Sequence, residues 1–288
     1  MTSRLPVSQA AHSPSWHAEL HLGFAVAGER TVLRENRHCG PLRVQKALYP
    51  EGDAVCQAIV LHPPSGIAGG DQLAIHAVIG AGAHAQLTTP GAGKWYRSGG
   101  AEASQRIDFT VGDRATLEWL PQETIVFDGA RARMETRVAL SADSRFIGWD
   151  ILCLGRAASG ERFRQGHFWP VYRVHRGQRP LWIERGGFSG DDPMLSSPAG
   201  WAERTVCATL LCSFPELPQQ TTMLLEALRV IAPVDAALHG ITALPGLLIA
   251  RYLGDNSEVA RLWFAELWKI LRPACCGRPA VIPRIWNT

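Results

Sequence analysis

Between Trp16 and Val26 every second position is apolar: Trp16, Ala18, Leu20, Leu22, Phe24 and Val26, with His17, Glu19 and His21 between the first four. A period of two sends alternate side chains to opposite faces of a strand, so this stretch reads as a strand with one buried face. The pattern returns at Leu73, Ile75 and Ala77, at Ala103, Ile107 and Phe109, at Ala115, Leu117 and Trp119, and at Met134, Val138 and Leu140. Strands are therefore expected to dominate to about residue 210. Three stretches also resemble one another: "LAIHAVIGAGAHAQLTT", "SQRIDFTVGDRATLEWL" and "METRVALSADSRFIGWD", starting at 73, 104 and 134 with spacings of 31 and 30. Each is strand, turn, strand. Units of this length suit stacked coils in which each covers its neighbour's apolar face, although hairpins of any large sheet look similar. Either way the expected class is mainly β.

Helix signals come late. "TTMLLEALRV" (221–230) suits a short helix. "DNSEVARLWFAELWKILRP" (255–273) suits a longer one, with Ser257 as N-cap, Val259, Leu262, Trp263, Leu267, Ile270 and Leu271 on one face, and Pro273 as stop. Residues 1–15 are polar and aperiodic and are expected to form a mobile lead-in. Residues 16–288, with no evident linker, are expected to form one β-rich domain.

Of the 288 residues, 46% are hydrophobic and 19% charged, enough apolar material for a sizeable core. Basic residues are scattered and the net charge is only +3, which argues against nucleic-acid or membrane-surface partners. The longest apolar runs, such as "VCATLLC" (206–212), are too short to span a bilayer. With no secretion pattern at the N-terminus, a cytoplasmic location is expected. The seven cysteines form no Cys-x-x-Cys pair and read as small buried hydrophobes or idle thiols.

Familiar catalytic motifs fail one by one. "HPPSGIAGGD" (62–71) is glycine-rich but has no Walker lysine, and "TTPGAGKWY" (88–96) has Thr88 and Trp95 where a phosphate loop needs glycine and a hydroxyl. No Gly-x-Ser-x-Gly elbow occurs. His17 and His21 are four apart on a strand, which sends both to its polar face. What remains is a set of carboxylates beside glycines and aromatics: Asp71, Glu118, Glu123, Asp128, Asp150, Glu161 and Glu184. Asp150 is the most informative, because "FIGWDILCLG" (146–155) is otherwise apolar. A charge in a central strand must be paired, hydrated or bound to a cation.

"LHPPSGIAGGD", "LTTPGAGKWYRS", "LEWLPQETIVFDGA", "WDILCLGRAASGERF" and the terminal "PRIWNT" together resemble the UreD family of urease accessory proteins, called UreH in some organisms. The likeness runs from about Leu42 to the C-terminus. It implies a fold of stacked, helix-like β coils with a few helices, mostly C-terminal. It implies a non-enzymatic scaffold that, with UreF and UreG, holds apo-urease while nickel is delivered, and an internal passage for the metal. Nickel would be transient cargo, with no permanently bound cofactor.

On this resemblance Asp71, Asp150 and Glu184 are the acidic positions expected to serve nickel passage, with Glu123 and Asp128 as weaker candidates. Lys94, Gly69 and Gly70 are motif positions with an expected structural role. Nickel(II) accepts oxygen and nitrogen ligands, and a carrier that must release it suits sparse, hydrated carboxylates better than a closed His/Cys cage. In "HPPSGIAGGD" the prolines stiffen the approach and the glycines allow unusual backbone angles, so the loop is expected to aim Asp71. UreF is expected to meet the helix 258–271 and the tail with Trp286, because Trp263, Phe264 and Trp268 carry apolar surface beyond one stripe; the helix could equally be buried on both sides in this chain's own core. Two other readings stay open: a β-solenoid glycan enzyme using Asp128 and Asp150 as acid and base, and an adaptor that bridges UreF and urease without touching nickel.

Overall fold

The computed structural model describes residues 15–215 and 221–287. The expected lead-in, residues 1–15, lies outside them except for Ser15. The strands are β1 (His17–Ala27), β2 (Arg30–Cys39), β3 (Arg43–Leu48), β4 (Cys56–Leu61), β5 (Gln72–Ile79), β6 (His84–Thr88), β7 (Gly93–Trp95), β8 (Ala103–Val111) and β9 (Thr116–Leu120). They continue as β10 (Thr124–Val126), β11 (Arg131–Leu140), β12 (Arg145–Leu154), β13 (His167–Arg176), β14 (Arg179–Arg185), β15 (Phe188–Ser189), β16 (Val206–Ser213), β17 (Leu238–Leu244) and β18 (Leu247–Gly254). Two helices, α1 (Thr221–Arg229) and α2 (Ser257–Cys276), follow residue 220. The molecule is a β-solenoid of about four turns.

The first sheet runs β14-β13-β11-β8-β5-β1-β2 and the second β17-β18-β16-β12-β9-β6-β4-β3. In each, the central strands are parallel and come from successive coils, while the edges are antiparallel. A short third face carries β7, β10 and the end of β12, with Ile67 bridged to Trp95 ahead of them. Inward positions stack in columns across the first sheet: Leu22, Ala77, Phe109, Val138 and Val174 form one, and Leu20, Ile75, Ile107, Thr136 and Tyr172 another. Each buried Leu, Ile or Phe contributes roughly 1.5–3 kcal/mol of hydrophobic stabilisation.

The repeat is real, but its register differs from the apparent spacing. Leu73 lies beside Gln105 and Gln105 beside Met134, steps of 32 and 29 and not 31 and 30. A one-residue slip would turn every side chain of a strand to the wrong face, so burial of Ile107 and Phe109 decides the matter. The corners stack as well. Ala83, Ala115 and Ser144 are fully buried there, and Thr116 N and Arg145 N donate to the carbonyls of Ala83 and Ala115. Arg176 closes the series, donating to the carbonyl oxygens of Ser141, Ala142 and Ser144.

The second sheet is buried on both faces. One packs against the first sheet; the other packs against α2 through Ile147, Trp149 and Ile151 of β12. Asn256, not Ser257, is the N-cap: its side chain accepts from Glu258 N and Val259 N. Pro273 does not stop the helix, which continues to Cys276 and ends at Gly277 in the left-handed region (φ 67°). Strands also persist beyond residue 210, in the hairpin of β17 and β18. Trp263, Phe264, Trp268 and Trp286 are all buried in this chain's own second core, so their rings offer no surface to a partner.

One buried ionic network fastens α2 to the sheet. Glu118 and Arg272 are both fully buried; the Arg272 guanidinium donates to Glu118 at 3.0 Å and to Glu51 at 2.6 Å. Glu118 also accepts from Trp268 Nε1 and lies 2.7 Å from His84 Nε2. Burial works to raise its pKa, but His84 and Arg272 outweigh it and hold the carboxyl below its usual range.

Candidate functional site

Toward one end of the solenoid one inward column of each sheet turns polar. In the first sheet Ile107 is followed by Thr136, then Tyr172, then Glu184. In the second, Asp150, Thr209 and Arg251 lie side by side on β12, β16 and β18. The pairing of β9 with β12 ends at Trp119 opposite Gly148, and β10 rejoins β12 only at Leu152. Between them runs the turn 121–123, whose first residue, Pro121, has no N–H to donate. Asp150 therefore faces a gap in the stack.

Two adjoining cavities meet at Asp150, one of them in that gap. One, of about 240 Å³, is bounded by the turns of "TTPGAGKW" and "LPQET" and is lined by His62, Lys94, Gln122, Thr136, Asp150 and Tyr172 among others. The second, of about 290 Å³, lies between β12, β13, β14, β16 and β18; Asp150, Tyr172, Glu184, Cys207, Thr209 and Arg251 are on its walls. Met134, Asp150 and Tyr172 belong to both. Each volume exceeds the roughly 30 Å³ that a water molecule takes in the liquid, so both can hold several.

Asp150 makes no ion pair among the described residues. Burial, and then the nearby charge of Glu184, push its pKa from 3.8 up to about 7. The buried Tyr172 hydroxyl has no hydrogen-bond partner among the described residues, and burial with the same two carboxylates raises its pKa. Glu184 is paired with Arg251 at 2.7 Å. The interior thus presents oxygen groups whose bonding capacity the protein leaves unfilled. Among the described residues no three His, Cys, Asp or Glu side chains converge tightly enough to hold a metal ion.

The other candidates fall elsewhere. Asp71 is buried, but its oxygens accept from Trp16 N at 2.9 Å and Ala68 N at 2.8 Å, so it clasps its own loop to the start of β1. Glycine is required around it: a Cβ on Gly69 would sit 2.3 Å from Ser98 Oγ, and Gly70 has φ +95°. The loop still reaches the site, since His62, Ser65 and Ile67 line the first cavity. Asp128 accepts from Arg164 N and Gln165 N and pairs with Arg97, and Glu161 pairs with Arg156. Asp128 is thus committed to a turn while Asp150 faces the interior. Glu123 lies near Cys153, whose thiol burial and then the Glu123 charge push up to about 12; Cys153 faces the second core, away from the cavities. Lys94 lines the first cavity with no carboxylate within 4 Å among the described residues.

Sequence reasoning missed Tyr172, Thr209 and Arg251. Arg251 had a visible signal: "LLIARYLG" is an apolar run broken by one charge, the same mark that singled out Asp150.

The fold and the site define a β-solenoid with two adjoining cavities, bounded by turns and not by a catalytic elbow, whose largely apolar walls carry a few polar groups. A family model described as UreD urease accessory protein matches residues 17–287. The chain is 80% identical over 288 residues to the urease accessory protein UreD of Dechloromonas aromatica (strain RCB), covering all of both chains. It is 52% identical over 278 residues to that of Azoarcus sp. (strain BH72), 96% of each chain, and 53% identical over 285 residues to that of Pseudomonas fluorescens (strain Pf-5), 99% of each. The chain belongs to the UreD family of urease accessory proteins, and membership supports a role in urease maturation. No helix among the described residues is long and apolar enough to cross a membrane.

Proposed function

We propose that this chain is a cytoplasmic, non-catalytic scaffold that holds apo-urease with UreF and UreG during nickel insertion, and that nickel(II) travels as cargo through its interior past Asp150 and Glu184. The observation that carries this reading is the meeting of these two carboxylates, from opposite sheets, on one internal cavity that adjoins a second. Carboxylate, phenol and hydroxyl oxygens can replace part of the cation's water shell without retaining it. Asp71 supports the route indirectly, by fixing the loop that walls the first cavity.

The test is the nickel content and activity of urease from cells carrying the urease genes, with this chain intact, deleted, or substituted at both Asp150 and Glu184 by alanine. Loss of loading on deletion supports the maturation role, and unchanged loading would end it. If the doubly substituted chain still assembles with its partners but loading falls, the carboxylates serve a nickel path. Full loading with that chain would make it an adaptor that never touches the metal.

A further inference from the structure

The second cavity adjoins a surface groove of about 410 Å³, and four residues wall both: Met194, Trp201, Cys207 and Arg251. Arg251 is the one charged side chain of the four. It stands on β18 near the edge of the second sheet, and its partner Glu184 stands on β14, the edge of the first. Their 2.7 Å ion pair therefore ties the two sheets together where groove and cavity meet. Arg251 Nη2 also lies 3.9 Å from Cys207 Sγ. The side chains are 42% and 34% exposed, and pairs so open to water are held only weakly.

Resting on the passage described above, we propose that Arg251 is a gate between the groove and the interior carboxylates. Paired with Glu184, the guanidinium occupies the mouth and repels an approaching cation. Swung into the groove, it frees Glu184 as an oxygen donor beside Asp150. A divalent ion competes for Glu184 with two charges against the one it displaces, and a monovalent ion gains no such advantage. The gate thus favours divalent cations and sets the rate at which they reach Asp150.

The test follows uptake of nickel(II) sulfate by the purified full-length chain in stopped-flow competition with a colorimetric chelator. Arg251→Gln is expected to accelerate uptake about tenfold, the lower end of what a fixed charge at a cleft does to ion association, while Arg251→Lys keeps the charge and stays within about twofold of the parent. Arg251→Met preserves the stem's packing and serves if the glutamine variant melts below assay temperature; the same acceleration is expected. Equal rates for the parent and the neutral variants, with uptake still abolished by Asp150→Ala/Glu184→Ala, would overturn the gate and leave the passage standing. Uptake and urease loading unchanged in Asp150→Ala/Glu184→Ala would overturn the passage, and the gate with it.

Discussion

A carboxylate drawn into the protein is either satisfied by its surroundings or left wanting, and the buried Asp71 and the half-buried Asp150 show the two cases. Asp71 accepts two backbone N–H groups, so Asp71→Ala strands both donors and is expected to cost about 1–3 kcal/mol in urea unfolding. Asp150 makes no ion pair among the described residues, and its pKa is raised from 3.8 to about 7. The folded chain then keeps a proton that the unfolded chain releases, so this component of stability is whole below pH 4 and is lost as pH rises to about 7. The slope is at most about 1.4 kcal/mol per pH unit, and Asp150→Asn is expected to abolish it. Parallel stability curves for the two proteins between pH 4 and 7 would refute the assignment. The sequence set Asp150 apart as a lone charge in an apolar strand, but it could not show that Asp71 is satisfied, because hydrogen-bond partners such as Trp16 N are remote from Asp71 along the chain.

Among the elements, α2 depends on one ionic anchor. Glu118→Gln leaves the fully buried Arg272 with only part of its charge compensated, and a loss of up to about 3–5 kcal/mol is expected from the denaturation midpoint. Glu118→Leu combined with Arg272→Met is expected to recover little of that loss, because it leaves the nearly buried Glu51 carboxylate and the Trp268 indole N–H without their partners; recovery to the parent's midpoint would refute this. The helix itself was legible from its spacing of Leu, Trp and Ile, whereas its ends were not. Ser257 and Asn256 are both good caps, and the choice rests on which side chain reaches Glu258 N and Val259 N. Pro273 lies so near the C-terminal end that the helix closes around it and continues one more turn. The aromatic surplus of α2 suggested a partner surface because a helix pattern does not reveal how much of its circumference its own chain covers; here β12, α1 and the tail of Trp286 cover it.

At the scale of the whole molecule, the cavities arise from the same stacking that builds the solenoid. The apolar columns stack until Thr136, Tyr172 and Glu184 replace Ile107, and the core gives way to connected cavities. Met134 walls both of them, so Met134→Trp should obstruct their junction. Urease from cells carrying this variant is expected to contain less nickel while the purified chain retains the circular dichroism of its parent. Normal loading with an intact fold would place the metal's path elsewhere. The period of two determined that this chain is mainly β and which side of each strand faces inward, because alternation is a property of neighbouring residues. The recurring strand–turn–strand units and the family motifs extended this to stacked coils serving urease. Only the tertiary structure decided that Asp150 and Glu184 converge with Tyr172 and Arg251 while Asp71 and Asp128 do not. Those meetings depend on strands far apart in sequence being stacked in one register, and a shift of one residue would send each side chain to the opposite face.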